Sequence, residues 1–90
     1  MTYEIVWLLP AFKRFKKLPL DIRKRISIHL KEVAINPTEH GTPMVGLKKC
    51  WRYRVGKYRI VCKIKANLLI VEVITIGHRG SVYKDLANKL

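Results

Sequence analysis

CWRYRVGKYRIV, residues 50–61, reads as two β-strands that meet at a two-residue turn, Gly56-Lys57. Gly56 suits the first loop position of a type II′ turn, which requires a positive φ there. Counting outward from the turn sets Val55 opposite Tyr58, Arg54 opposite Arg59, Tyr53 opposite Ile60, Arg52 opposite Val61 and Trp51 opposite Cys62. Side chains alternate across a strand, so Trp51, Tyr53, Val55, Tyr58, Ile60, Cys62 and Ile64 share one apolar face, the expected helix-covered core. Arg52, Arg54, Arg59 and Lys63 fall on the other face. The same alternation assigns Trp51 and Tyr53 to the core rather than to base stacking. It also sets Cys50 and Cys62 on opposite faces, which argues against a disulfide between them.

Downstream, Leu68 to Ile76 is a third strand, reached through Ala66-Asn67, which is weaker turn chemistry than Gly56-Lys57. A two-residue loop there sets Glu72 opposite Val61 and ends Ile76 beside Lys57, so that His78, Arg79 and Tyr83 emerge near Arg54 and Arg59. Val82, Leu86 and Leu90 are spaced for a short final helix. Upstream, Thr2 to Trp7 is a short strand and Pro10 opens a helix over 11–18 with Phe12, Phe15 and Leu18 on one face. Pro19 ends that helix, and Ile22, Ile26, Leu30 and Val33 mark a second over 20–35 that Asn36-Pro37 stops. Residues 36–46, with two prolines and two glycines, read as a loop, and His29 and His40 as surface residues without a partner pattern. The predicted fold class is α+β: a two-helix hairpin on a small, mostly antiparallel sheet in the order β-α-α-β-β-β, with a short C-terminal helix. Ninety residues make one domain.

The chain carries 19 Lys and Arg against 6 Asp and Glu, a formal charge of +13, which draws polyanions and disfavours cationic partners. Arg14, Lys17, Arg23, Lys24 and Lys31 on the helices are either solvated or contact RNA. The first stretch, MTYEIVWLLPAFKRFKK, lacks a basic segment before its apolar run and is broken by Glu4 and Pro10, so it is read as neither a signal peptide nor a membrane span. Two cysteines without metal spacing fit a reducing cytoplasm, and no cofactor or metal is expected.

Arg54 directly opposite Arg59 is a like-charge pair that destabilises a sheet unless an anion or a carboxylate relieves it. Neither strand carries an acidic residue, and Glu72 on the next cannot balance the whole set. Guanidinium forks match phosphate oxygens, so this face is a candidate phosphate site, with Lys57 and Lys63 as further substrate-binding cations. GHRGSVY, residues 77–83, adds an imidazole, a guanidinium and a phenol. Metal-free RNA cleavage needs a base for the 2′-hydroxyl, donors for charge on the phosphorus oxygens and a proton for the leaving 5′-oxygen.

CWRYRVGKYRIV followed by IVEVITIG and HRGSVYK resembles the RelE family of bacterial toxin mRNA interferases within the RelE/ParE superfamily, and the order of elements agrees over nearly the whole chain. The resemblance implies ribosome-dependent cleavage of mRNA in the A site, translation inhibition, and neutralisation by a cognate RelB-like antitoxin in a bacterial or archaeal cytoplasm. It implies that Arg52 and Arg54 hold the two basic positions of that strand, that Arg59 grips the scissile phosphate, that Arg79 lies near the leaving group and that Tyr83 orients the attacking nucleotide. RelE proteins place lysines at the first two positions; arginine stays charged, so Arg52 and Arg54 are expected to act electrostatically. His78 is then the expected general base, alone or shared, because imidazole titrates near neutrality.

Two other readings belong to different classes. A ParE-like toxin shares the fold and inhibits DNA gyrase through protein contacts, which would leave the cluster of Arg59, Arg79 and Tyr83 without a use. A plain nucleic-acid-binding module explains the charge but not the clustering.

Overall fold

The computed structural model describes residues 2–78; the expected C-terminal helix, with Arg79 and Tyr83, lies outside them. Strand β1 (Glu4–Trp7) leads through helices α1 (Leu9–Lys16) and α2 (Leu20–Ile35) to a two-residue strand β2 (Thr42–Pro43) and the meander β3 (Cys50–Val55), β4 (Tyr58–Lys65) and β5 (Ile70–His78). All join one five-stranded sheet in the order β1-β5-β4-β3-β2. Only β1 and β5 run parallel; the other neighbours are antiparallel. The α+β class and the helical pair on a mostly antiparallel sheet are as the sequence predicts.

The stripe of α2 does what its spacing implies: Ile26, Leu30 and Val33 are buried against Tyr53, Val55, Ile60, Cys62, Val71, Val73 and Ile76 of the sheet. Pro10 lies in the first turn of α1, where a missing N–H costs nothing, and Phe15 of α1 packs on Trp7 with ring centroids 4.7 Å apart. A second, smaller cluster on the other face joins Cys50, Val61 and Ile74, with Leu8, Met44 and Leu47 packed on it. Cys50 and Cys62 thus sit in different clusters as free thiols, and burial raises the pKa of both, so both stay protonated near neutrality.

The first hairpin has the register counted from the sequence, from Val55↔Tyr58 through Trp51↔Cys62. Gly56 has φ 58°, and Lys57 is not among the positive-φ residues, the pattern of a type II′ turn.

The second hairpin departs from expectation. In place of a two-residue loop, Ala66–Leu68 makes a 3-10 turn and Leu69 adopts a left-handed φ of 53° before β5 begins. Ala-Asn offers no glycine for a primed turn, and the longer connection slides β5 by two residues. Glu72 therefore pairs with Lys63, not Val61. A bulge then breaks the register between Cys62↔Val73 and Val61↔Thr75, leaving Ile74 as the extra residue. Beyond it the alternation is inverted: Ile76 faces Ile60 in the core, rather than ending beside Lys57, and Thr75 shares the face of Val61.

The span read as a loop contains β2. Tyr53 donates its phenolic hydrogen bond to the Pro37 carbonyl at 2.7 Å, and Gly41 lies so close to that ring that a Cβ would stand 2.6 Å from Tyr53 Cε1. These two contacts lay the loop along the β3 edge, where Thr42 pairs with Arg52 and Pro43 with Trp51.

Candidate phosphate-binding site

Three backbones meet at one end of the sheet, where Arg54 pairs with Arg59 across β3–β4 and Arg59 pairs with Gly77 across β4–β5. His78, the last residue of β5, follows directly on the Arg59↔Gly77 pair, while the expected emergence of Arg79 beside the arginines falls outside the described residues. The two guanidinium groups have different surroundings. Arg59 is only 8% exposed, and its Nη1 donates to the carbonyls of Gly56 and Tyr58, both at 3.2 Å. Arg54 is exposed and lines a groove toward α2. Carbonyl dipoles on one guanidinium and solvent on the other relieve the repulsion that the pairing imposes.

The remaining expected residues scatter more. Arg52 is half-buried opposite Val61, and Lys57 is exposed at the turn. Lys63 is four residues from Arg59, about 13 Å along the strand, beside Glu72 rather than the arginine end. Glu72 itself is held by Lys65, Nζ to Oε2 at 3.2 Å, and so is turned to that end of the sheet. His78 pairs with Tyr58, and its ring meets the Tyr58 ring edge-on at 4.9 Å between centroids. That register gives His78 the face of Tyr58 and Ile60, one step beyond the Arg59↔Gly77 pair, and not the face of Arg54 and Arg59. Among the described residues no three His, Cys, Asp or Glu come together as a metal site, and no helix is long and apolar enough to cross a membrane.

The family model described as the ParE toxin of type II toxin-antitoxin systems, parDE, matches residues 5–83. The chain belongs to that toxin family. Within it, the toxin is 27% identical over 94 residues to a RelE-like toxin protein of Escherichia coli, covering 100% of this chain and 99% of the relative. It is 24% identical, with the same coverage, to a protein named mRNA interferase toxin RelE from Escherichia coli strain K12. Its fold is that of RelE: a free-state arginine-to-alanine double mutant of the Escherichia coli RelE toxin superposes with a TM-score of 0.85 at 23% identity, covering 100% and 99% of the two chains. The toxin of a RelBE toxin-antitoxin complex from Mycobacterium tuberculosis gives 0.79 at 22% identity, over 88% and 93%.

Three residues of the toxin acquire a place that the sequence did not give them. Arg14, grouped by sequence with the basic helix surface, crosses to β5, where its Nη1 donates to the buried Thr75 Oγ1 at 3.5 Å. The signal was Thr75 itself, a hydroxyl within the apolar run IVEVITIG. Arg25, unremarked in a helix full of cations, lies with its guanidinium nitrogens 3.5 Å from where a Cβ on Gly56 would stand. His29 is half-buried rather than a surface residue, with its ring 6.1 Å from His40 and 6.3 Å from Tyr53 between centroids. Burial lowers its pKa; Glu32 opposes that shift and His40 adds to it.

Proposed function

We propose that this type II toxin is a metal-independent, ribosome-dependent endoribonuclease that cleaves mRNA in the A site and thereby stops translation in the cytoplasm. The observation that carries the reading is the Arg54↔Arg59↔Gly77 alignment, which brings the backbones of two arginines to the end of the sheet where β5 finishes at the first residue of HRGSVY. The names of the similar proteins, an mRNA interferase among them, support it.

In this reading the substrate is a phosphodiester whose 2′-oxygen attacks the adjacent phosphorus as the bond to the 5′-oxygen breaks. Arg59, held by two carbonyls, is pre-positioned and meets the phosphate without reorganising; Arg52 and Arg54 add charge, and Arg79 acts at the leaving group. Tyr83 orients the attacking nucleotide, Lys57 and Lys63 bind flanking RNA, and His78 supplies or shares the base. Ribosomal RNA is a partner through the basic surface. A RelB-like antitoxin neutralises the toxin, as in the RelBE complexes whose toxins share this fold.

Mapping mRNA 5′ ends on programmed ribosomes tests the assignment. Arg59→Ala and Arg79→Ala are each expected to slow cleavage by about 100-fold or more, the usual cost of a lost charge-stabilising donor, while antitoxin binding changes far less. Intact mRNA with the wild-type toxin, accompanied by gyrase inhibition, overturns the nuclease reading in favour of the ParE-like one. His78→Ala with an unchanged rate and pH profile removes His78 as the base.

A further inference from the structure

A groove of about 300 Å³ runs between α2 and the tip of the β3–β4 hairpin, lined by Arg25, Ile28, His29, Glu32, Arg54, Val55 and Gly56. Its cationic end is built at the same turn that Arg59 grips. Arg59 donates to the Gly56 carbonyl, and the Arg25 guanidinium nitrogens lie 3.5 Å from where a Cβ on Gly56 would stand, so the turn is bracketed by two guanidinium groups from different elements. Arg25 and Arg54 are both exposed, and neither makes an ion pair with a described residue. The His29 ring borders the groove, and its Nε2 is buried without a hydrogen-bond partner among the described residues.

We propose that this groove is a second phosphate-binding site, in which Arg25 and Arg54 hold a backbone phosphate of the same RNA strand that occupies the arginine face. The proposal rests on the RNA reading above and extends it around the hairpin tip. Three features favour a phosphodiester strand. Two arginines lining one groove without an ion-pair partner among the described residues are costly to bring together, and guanidinium forks match phosphate oxygens. Arg54 belongs both to the groove and to the pair with Arg59, so one polyanion passing over Gly56 meets both without a gap in positive charge. Glycine at the turn keeps the path low, since no side chain stands between the two arginines there. The groups facing His29 are Arg25 and Arg54 at the cationic end, Glu32 on its own helix, and His40 and Tyr53 from the loop and β3. A phosphate held beside them adds negative charge and raises the affinity of the imidazole for a proton.

The test uses the full chain and a five-nucleotide 2′-O-methyl RNA, which lacks the attacking hydroxyl and is not cleaved. Binding is followed by anisotropy over a salt series, and arginine Nε–Hε and histidine ring signals by NMR. The Arg25 and Arg54 signals are expected to move on titration, and the His29 ring to titrate at higher pH in the complex. Arg25→Ala is expected to weaken binding about three- to tenfold and to reduce the slope of log K against log salt by about 0.7, the share of one phosphate on a single strand. Arg25→Lys is expected to recover part of the affinity, and an unchanged melting midpoint shows that both variants fold. Wild-type affinity and slope in Arg25→Ala, with weakened binding in Arg59→Ala, overturn the groove and leave the RNA reading standing. Wild-type protein that binds no RNA overturns both. Signals at Arg25 that move only with an acidic peptide, and not with RNA, show a protein carboxylate site instead and also overturn the proposal.

Discussion

On the helix-covered face of the sheet, Tyr53, Ile60, Cys62, Val73 and Ile76 are each 1% exposed or less and meet Ile26, Leu30 and Val33. On the opposite face, β3 and β4 contribute only Cys50 and Val61 to an apolar patch, and every other position is Arg52, Arg54, Arg59, Lys63 or Lys65. One face holds the fold by area removed from water; the other tolerates like charges that a purely structural sheet would not carry. Core packing and cationic charge are thus segregated by the two-residue period of the strand. A substitution one position along β4 moves from one account to the other.

The largest stability effect belongs to the closed face. Ile60→Ala is expected to cost about 2–5 kcal/mol in denaturant unfolding, the range for emptying a packed core site. Arg54→Ala, six positions earlier on the open face, is expected to stay within about 0.5 kcal/mol, as surface changes do, with some relief of repulsion. Equal losses for the two would break the segregation. A smaller effect is expected where the loop clamps the closed face's edge: Gly41→Ala forces a Cβ against the Tyr53 ring and the Arg52 carbonyl and is expected to cost about 1–3 kcal/mol. Wild-type stability there would show that the loop does not press on β3.

The smallest effect sharpens the boundary between the faces, at His29. Its folded-state pKa lies below the ordinary imidazole value near 6.5, because burial penalises the charged form. Below that ordinary value the unfolded chain binds the proton more readily, so this contribution to stability is intact above about pH 6.5 and declines as pH falls further. His29→Gln is expected to flatten the decline between about pH 6.5 and 5 in urea midpoints relative to wild type. Superimposable wild-type and variant curves would remove His29 from the account.

Much of this was legible in one dimension because the chemistry was local. Gly56-Lys57 fixes a hairpin register by turn geometry alone, and the register fixes which residues share a face; Arg54 opposite Arg59 followed from counting. The spacing of Ile22, Ile26, Leu30 and Val33 located α2 for the same reason. The second hairpin was not legible, since Ala66-Asn67 specifies no turn and IVEVITIG is apolar at nearly every position, so neither the loop length nor the bulge at Ile74 leaves a pattern. β2 was hidden because its pairing depends on a tyrosine hydroxyl and a close glycine contact with residues far along the chain.

By itself, then, the sequence determined the class of fold, the first hairpin and its two faces, and the cationic character of one of them, because turn conformation, strand period and charge are properties of neighbouring residues. The tertiary structure decided where those cations stand. It drew Arg59 onto the turn carbonyls, set Arg54 in one groove with Arg25, brought Arg14 to Thr75 and set the His78 ring on Tyr58. Those placements depend on a bulge, on helix packing across the sheet and on which charges find partners, and all three are settled only when distant segments compete for the same space.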